Sequence, residues 1–316
     1  MSRPARFEIR TAWRLPRAEG HAVSEGWPDG GDSPGRPRAV TWHWTATRTL
    51  ERCRQLIGGP EAVLRGRASA HLAIGRSFAE GVDSYVSLND RSWHAGRQQT
   101  LRWDGLPMAG EEEKGSRTSI GVETVNLGYA RPAEEGCRDP AAAREEASEV
   151  AAEPDFLEAW TSSADRRLRV QPWSEEQIAM MIEVGRGITE RWPHLGPRDH
   201  HGHHDLCPGY KVDVAGFPFA RVLRGVYGPQ VPDVWSPVWT PTGRRRALEA
   251  LGFAGDEAPE APEGWSRADD DALRRCQRAL GLEENGLWTT AVSWAVYDAG
   301  GLPGAAAGAG GSPAPR

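Results

Sequence analysis

The alternation of hydrophobic and polar residues predicts four short strands in the first part of the chain. Residues 38–45, RAVTWHWT, alternate β-branched and aromatic side chains with others, which is typical of a strand. Shorter apolar runs at 69–74, 84–88 and 119–125 predict three more strands, with a turn at 75–81. Each run is of ordinary strand length, so the sequence indicates a sheet built from brief segments.

Helical periodicity predicts three longer elements. Residues 49–64 place their apolar side chains on one face, as a helix packed against a core requires. In 174–191 the same spacing follows Ser174 as a predicted N-cap, with Gln177 completing a capping box. Residues 212–227 predict a further helical segment.

The last quarter of the chain predicts a second, smaller domain. Prolines and glycines at 229–241 indicate a linker. Beyond it, RRALEALGF at 245–253 is echoed by RRCQRALGL at 274–282, and each predicts a short helix closed by glycine and an apolar residue. Residues 242–301 therefore predict a helical domain, and 302–316 have too few apolar residues to fold.

The larger predicted domain, 38–228, has two polar additions. Residues 1–37 are rich in Gly, Pro and charge and predict a loosely ordered N-terminal extension. Residues 130–165 contain ten acidic and three basic side chains and predict a solvated insertion, partly helical at best.

Composition narrows the function classes. A net charge of -6 argues against nucleic acid as a partner, and a mean hydropathy of -0.58 with no long apolar run predicts no membrane span. The N-terminus lacks the apolar stretch of a secretory signal, so we expect synthesis in the cytoplasm without one. The four cysteines form no CxxC pair, which suits free thiols. The 14 tryptophans suit sugar rings, although core packing is their commoner use.

Candidate chemistry is concentrated in the segment 199–213, DHHGHHDLCPGYKVD, which we expect to be a loop because a Pro-Gly pair forbids a continuing helix. The segment contributes the imidazole of His203 and the carboxylate of Asp213, and His43 adds a second imidazole. Three such ligands leave a fourth position of Zn²⁺ open for water. The segment therefore predicts a hydrolytic zinc site.

A zinc hydrolase also needs a base and a positive group for the developing oxyanion. Glu123, inside an apolar strand, is the candidate base. Lys211 is the candidate cation, and it is one of only two lysines in a chain that otherwise uses arginine. The alternative for Glu123 is an ion pair with one of the many arginines.

Each candidate ligand has a competitor at this stage. His43 could be an ordinary core histidine, and Asp213 could be a helix N-cap. Cys207 is a rival third ligand, because thiolate also suits zinc, and His204 is a rival for His203.

Residues 40–227 resemble type-2 N-acetylmuramoyl-L-alanine amidases of the peptidoglycan-recognition superfamily. Five segments carry the resemblance in the family's order: WHWTAT around His43, SAHLAIGRSFAEG at 69–81, WHAG at 93–96, SIGVE at 119–123 and GHHDLCPGYKVD at 202–213. The resemblance implies an α/β fold in which a central mixed β-sheet is flanked by helices.

The resemblance also implies roles for individual residues. In the family, the positions of His43, His203 and Asp213 bind zinc, which favours Asp213 over Cys207 and His203 over His204. One branch of the family has SAH, with Ala rather than Tyr before the histidine, as Ala70 precedes His71 here. That branch uses the Glu of SIGxE as acid/base, and Glu123 fills this position. Lys211 falls on the catalytic lysine. Trp44 and His94 are candidate substrate contacts. The acidic insertion and Val214, where that branch usually has Pro, depart from the family pattern.

The implied reaction is hydrolysis of the amide between N-acetylmuramic acid and the L-alanine of the peptidoglycan stem peptide. Residues 245–298 resemble a degenerate peptidoglycan-binding module, with a generic accessory domain as the alternative. We therefore expect peptidoglycan or muropeptides as partners and a cell-wall site of action, reached by a non-classical route. Two alternatives stand: a non-catalytic peptidoglycan-binding protein and a cytosolic muropeptide-recycling amidase.

Overall fold

A computed structural model describes nine segments of the chain: 7–15, 22–27, 35–58, 68–95, 115–129, 157–163, 167–207, 211–253 and 264–304. Some predictions fall outside them. These are most of the acidic insertion, most of the C-terminal tail, the Pro-Gly pair of the candidate loop and much of the N-terminal extension.

A six-stranded mixed sheet forms the centre of the protein. Its strands lie in the order β1-β5-β4-β7-β3-β10. Neighbouring strands are parallel in every pair except β4–β5, which is antiparallel. Their bounds are β1 Ile9–Arg10, β3 Ala39–Trp44, β4 Leu72–Ile74, β5 Val82–Ser84, β7 Ser119–Thr124 and β10 His200–Gly202, and two strand pairs lie outside the sheet, β2 Val23–Ser24 with β6 Arg91–Ser92 and β8 Leu157–Trp160 with β9 Arg167–Val170. The four strands predicted from the sequence are present, with the run predicted at 84–88 shifted to β5.

Eight α-helices surround the strands in the described segments. They are α1 Leu50–Ile57, α2 Gly115–Thr118, α3 Glu175–Arg191, α4 His203–Leu206, α5 Phe219–Tyr227, α6 Pro241–Ala250, α7 Arg267–Ala279 and α8 Thr290–Asp298. The predicted architecture, a mixed sheet flanked by helices, is confirmed.

The two faces of the sheet have different roles. Side chains alternate along β3, so Val40 and Trp42 point to one face and His43 to the other. The face with Trp42 carries the main core, where α3 packs against the sheet through Met181 and α5 through Leu223. The opposite face carries His43 and the chemistry described below.

The helix α3 begins as predicted, but its capping box is incomplete. Ser174 accepts a hydrogen bond from the backbone N–H of Gln177 at 3.1 Å. The side chain of Gln177 does not return to Ser174; its amide donates to the carbonyl of Val125 at 2.8 Å. A contact with the strand β7 region has replaced the local one, so the prediction of a full box is wrong.

Two other helix predictions change in extent. The segment 212–227 is helical only from Phe219, because residues 213–216 form turns, in which Ala215 donates its N–H to the carbonyl of Val212. The predicted acidic insertion contains the strand β8, which pairs antiparallel with β9, where the sequence suggested helix at best.

The C-terminal helices pack onto the larger unit through a shared core. Trp235, in the predicted linker, is buried and stacks on Phe219 with ring centroids 5.2 Å apart. The two echoed helices end as predicted: Phe253 donates its N–H to the carbonyl of Leu248, and Leu282 donates to Gln277 in the same way. Each turn has a glycine at positive φ, the conformation a helix C-terminus favours.

Among the helices that the structure describes, none has the length and apolar character that crossing a membrane requires.

Candidate active site

Two neighbouring strands place His43 and Glu123 side by side. In the parallel pairing of β3 with β7, His43 lies opposite Glu123, so both side chains leave the same face at the same end of the sheet. Both strands are lined with buried residues, which fixes their register. The pairing therefore brings together two residues that are 80 positions apart.

A short helix places His203. The strand β10 pairs with β3 and ends at Gly202, and His203 opens helix α4 directly after it. A Cβ atom at Gly202 would lie 2.6 Å from the ring of His204, so a larger residue here would require that ring to move. The structure thus corrects the prediction of a loop for His203.

Asp213 returns to the same place through backbone bonds. Its carbonyl accepts the N–H of His204 at 2.5 Å, and the N–H of Lys211 donates to the carbonyl of Cys207 at 2.8 Å. These bonds hold the segment 211–213 against α4. The alternative role of Asp213 as a helix N-cap is wrong, since α5 begins six residues later.

Three ligand atoms converge in a buried cluster. The Nδ1 atom of His203 lies 3.1 Å from Nδ1 of His43 and 2.9 Å from Oδ2 of Asp213. The third distance, from His43 Nδ1 to Asp213 Oδ2, is 3.3 Å. All three residues are buried, and each offers one atom to a common point. Two imidazole nitrogens and a carboxylate oxygen are the donor set of many catalytic zinc sites.

Hydrogen bonds behind the cluster determine which imidazole nitrogens carry protons. His94 Nε2 lies 3.0 Å from the carbonyl of Ser119, which can only accept, so this nitrogen is the donor. His94 Nδ1 is then an acceptor and takes the proton of His43 Nε2 at 2.9 Å. This chain leaves a lone pair on His43 Nδ1, directed at the cluster.

His203 is oriented in the same way. Its Nε2 lies 3.3 Å from the carbonyl of Ala95, so this nitrogen donates and Nδ1 faces the cluster. Metal-binding histidines characteristically donate their outer N–H to a carbonyl or another acceptor. The two imidazoles are therefore arranged as ligands before any ion binds.

The charges of the cluster favour a cation at its centre. Burial, followed by repulsion from the neighbouring His203, lowers the pKa of His43 to about 4. Burial also opposes charge on His203, but attraction to Asp213 exceeds this effect and raises its pKa to about 10. The carboxylate of Asp213 thus holds a positive charge at the position where the ligand atoms meet.

The carboxyl group of Glu123 lies beside the cluster, and its pKa is raised, so it stays protonated at a higher pH than an ordinary glutamate. Burial raises its pKa to about 8, with repulsion from Asp213 as the second cause. Its Oε2 is buried and has no hydrogen-bond partner among the described residues. A carboxyl in this state is suited to exchanging protons near neutral pH.

A cleft opens above these groups. It has a volume of about 390 Å³. It is lined by residues from β3, β7, α4, the segment 211–213 and three connecting segments, namely His43, Trp44, Ala46, His94, Glu123, Tyr129, His203, Lys211, Val212 and Asp213. The cleft brings all seven of the predicted site residues into one place. Tyr129 was not foreseen, because it follows the strand in a segment without a periodic pattern.

Neither rival ligand belongs to the converging group. His204 lines a different cavity on the other side of α4, with Nε2 3.5 Å from Asp205. Cys207 is buried with Ala95 and Leu206 in a small apolar cluster, and its side chain forms a hydrogen bond with His203. The group of converging ligand atoms consists of His43, His203 and Asp213, in agreement with the resemblance.

Gly121 and Asp205 are two residues of the site that the sequence did not reveal. A Cβ atom at Gly121 would lie 2.4 Å from Cγ of His94, so the glycine makes room for that ring. Asp205 accepts the N–H of Gly202 at 2.7 Å and so closes the turn that begins with His203. The role of Gly121 depends on His94, which is distant in sequence. The role of Asp205 depends on a turn in a segment that was predicted as loop.

Solved structures similar to this chain were found at low sequence identity. AmpDH3 from Pseudomonas aeruginosa is 19% identical, with 86% of this chain and 94% of that chain covered and a TM-score of 0.45. AmiD from E. coli, solved with anhydro-N-acetylmuramic acid-L-Ala-D-gamma-Glu-L-Lys, is 16% identical, with 87% and 95% covered and a TM-score of 0.45. No curated protein sequence matches the chain.

A family model gives the decisive comparison. The model described as N-acetylmuramoyl-L-alanine amidase matches residues 33–213, which is more than half of the chain and includes every predicted site residue. The match agrees with the resemblance carried by the five sequence segments and confirms the predicted enzyme class. The chain therefore belongs to the type-2 N-acetylmuramoyl-L-alanine amidase family.

Proposed function

We propose that this peptidoglycan amidase uses Zn²⁺ to hydrolyse the amide between the lactyl group of N-acetylmuramic acid and the L-alanine of the stem peptide. The observation that carries the proposal is the convergence of three ligand atoms beside Glu123 in one cleft. A cluster without Glu123 would suit a structural metal, whereas the carboxyl adds the acid/base group that hydrolysis needs.

The residues present fit a zinc ion. His43 Nδ1, His203 Nδ1 and Asp213 Oδ2 would hold it, because both imidazoles direct Nδ1 inward while their Nε2–H groups bond outward. The ion would take the place of the proton that Asp213 favours on His203. Three protein ligands leave one position open, as in other catalytic zinc sites. When bound, zinc acts as a Lewis acid and lowers the pKa of a coordinated water to about 7.

Glu123 would move the protons of the reaction. Its carboxylate accepts a proton from the attacking water and delivers it to the nitrogen of L-alanine, which leaves as an amine. A pKa of about 8 means that the same carboxyl can take and release this proton near neutral pH. Its unpartnered Oε2 is available for both transfers.

Lys211 would stabilise the oxygen that becomes negative when water adds to the carbonyl. It lines the cleft on the segment that also carries Asp213. An ammonium is a compact charge on a flexible stem and can follow that oxygen as the carbonyl becomes tetrahedral.

Trp44 and His94 would have different tasks. Trp44 is largely buried but lines the cleft, where its ring offers a flat apolar surface to a sugar or a peptide. Both nitrogens of His94 are engaged, one with His43 and one with Ser119. His94 therefore acts better as a residue that positions His43 than as a direct substrate contact.

Digestion of purified peptidoglycan sacculi tests the proposal. The zinc-loaded protein should release free stem peptides with an N-terminal L-alanine, detected by mass spectrometry, and chelation of the metal should stop the release. Glycan fragments or cross-link cleavage products instead would assign the protein to a different reaction. Activity on soluble muropeptides but not on sacculi would favour the recycling role.

A further inference from the structure

A second cavity lies between the amidase sheet and the C-terminal helices. It encloses about 60 Å³ and is bounded by the β8 strand, the segment 212–217 and helices α6 and α8. Aromatic rings form much of its wall: Trp160, Phe217, Phe219, Trp235, Trp239 and Trp288. Val212 lines both this cavity and the catalytic cleft, so the two are neighbours.

The cavity contains a buried cation. Arg244 is only 5% exposed, and its Nε and one terminal nitrogen donate to the carbonyls of Val238 at 3.0 Å and Ser162 at 3.2 Å. None of the carboxylates in the described segments forms an ion pair with it. The next residue, Arg245, by contrast forms an ion pair, with its Nε 2.9 Å from Oδ1 of Asp269.

A guanidinium in this position is costly for the folded protein. Burial alone lowers the pKa of Arg244 to about 9, and no carboxylate in the described segments opposes the effect. Buried charges in proteins are normally paired or coordinated. The two carbonyls satisfy part of the guanidinium, and its charge is left without a counter-ion among the described residues.

The same cavity contains a hydroxyl without a partner. Ser162 is 5% exposed, and its Oγ is buried without a hydrogen bond in the described part of the chain. The carbonyl of the same residue accepts from Arg244 and from the N–H of Trp288 at 2.8 Å, which fixes the backbone at this point. The guanidinium carbon also lies 5.8 Å from the centroid of the Trp288 ring, a weak cation–π contact. A donor hydroxyl and a cation that has no counter-ion among the described residues therefore line one aromatic-walled space.

We propose that this cavity binds a carboxylate carried on a short aliphatic group. One guanidinium balances one negative charge, so a carboxylate fits better than a phosphate dianion. The volume admits roughly four water-sized groups, enough for a carboxylate with one or two carbons. The tryptophan rings suit the aliphatic part, and the Ser162 hydroxyl supplies a hydrogen bond to the second oxygen.

Two sources could supply this carboxylate. One is a carboxylate of a stem peptide, and this source rests on the function proposed above. The other is a free small carboxylic acid that fills the space between the two parts of the protein. The chemistry of recognition is the same for both.

Nuclear magnetic resonance of the full-length, zinc-loaded protein tests the proposal. The reporter is the Nε–H signal of Arg244, assigned through bonds, during titration with sodium propionate at constant ionic strength. We expect a saturable shift of this signal and none with propionamide, which has the same shape without the charge. Arg246→Gln is a matched control, because it removes an adjacent but exposed guanidinium.

Ser162→Ala separates a binding role from a structural one. Its hydroxyl has no partner in the fold, so the variant should melt no lower than the parent protein. Propionate should bind it about fivefold more weakly, the effect of one hydrogen bond. An Arg244 signal that does not respond to propionate, or equal affinity in Ser162→Ala, would overturn the proposal.

The source is resolved by N-acetyl-D-alanyl-D-alanine and its C-terminal amide. If the peptide acid binds more tightly than propionate and the amide does not bind, the carboxylate belongs to a peptide. If the peptide acid binds no better than propionate, the ligand is a free small acid. These measurements need no turnover, so a protein that fails to digest sacculi could still show the Arg244 response.

Discussion

The carboxylate of Asp205 accepts two hydrogen bonds from Thr290, one from the backbone N–H at 2.6 Å and one from the hydroxyl at 2.9 Å. Asp205 lies two residues after His203 on the same short helix, and Thr290 is the first residue of α8. The N-terminus of a helix favours such an anion. The turn that carries a candidate metal ligand is thus held by the C-terminal helices.

Replacement of Thr290 by valine should therefore weaken both the fold and the metal site. The variant loses the hydroxyl bonds to Asp205 and to the Trp235 indole. We expect the free energy of unfolding to fall by about 1–3 kcal/mol, measured by urea denaturation. Zinc should also bind more weakly. Thr290→Ser keeps the hydroxyl and should resemble the parent; equal stability of the valine variant would remove this link between the two parts.

Glu123→Gln should separate catalysis from metal binding. The amide has nearly the same shape but cannot accept the proton of the attacking water. We expect kcat to fall by roughly 10²–10⁴-fold while zinc content stays at one equivalent. Release of stem peptides from sacculi and metal analysis of the same sample measure both effects. Unchanged turnover would exclude Glu123 as the acid/base group.

His94→Phe should weaken metal binding without touching a ligand. Phenylalanine fills the space but cannot accept the His43 Nε2 proton, so the tautomer of His43 is no longer fixed. Loss of such an outer bond typically costs about 10–100-fold in metal affinity or activity. Competition with a chelator measures the affinity. A variant that binds zinc normally but has a raised KM would instead make His94 a substrate contact.

The resemblance and the strand patterns predicted much of the site, for local reasons. Residues 38–45 and 119–125 have the alternation of buried strands, and both strands formed where it occurs. The register that sets His43 against Glu123 depends on pairing between distant segments, which one strand's pattern does not contain. The same holds for Gln177, whose side chain preferred Val125 to its own helix end.

The contacts between the two parts of the protein were not predictable from the sequence. Residues 229–241 have a linker's composition, but Trp235 is buried against Phe219 and α8. A segment rich in proline and tryptophan can be a loose linker or part of a core. Which of the two forms depends on whether a neighbouring apolar surface packs against its side chains. Asp205 and Arg244 gain their roles only through that docking.

Two histidines away from the cluster should make the fold sensitive to acid. Burial lowers the pKa of His71 to about 4 and, with the neighbouring His201, that of His200 to about 3. Below pH 6.5 the unfolded chain takes up protons that the folded protein excludes, so stability falls as the pH falls through this range. At pH 5 each histidine should cost roughly 2 kcal/mol relative to pH 8.

Urea denaturation of the metal-free protein at both pH values measures this loss. His200→Gln should reduce the difference between pH 8 and pH 5 by about one histidine's share, whatever its own stability. His194→Gln removes an exposed imidazole and serves as the control. An undiminished pH dependence in His200→Gln would show that His200 is not the group responsible.

X-ray absorption at the zinc edge tests the metal site most directly. The arrangement of His43, His203 and Asp213 predicts one zinc per chain with two imidazole nitrogens and further oxygen neighbours, all at about 2.0–2.2 Å. A sulfur neighbour at about 2.3 Å would place Cys207 in the site. That result, or the absence of stoichiometric zinc from active protein, would contradict the account.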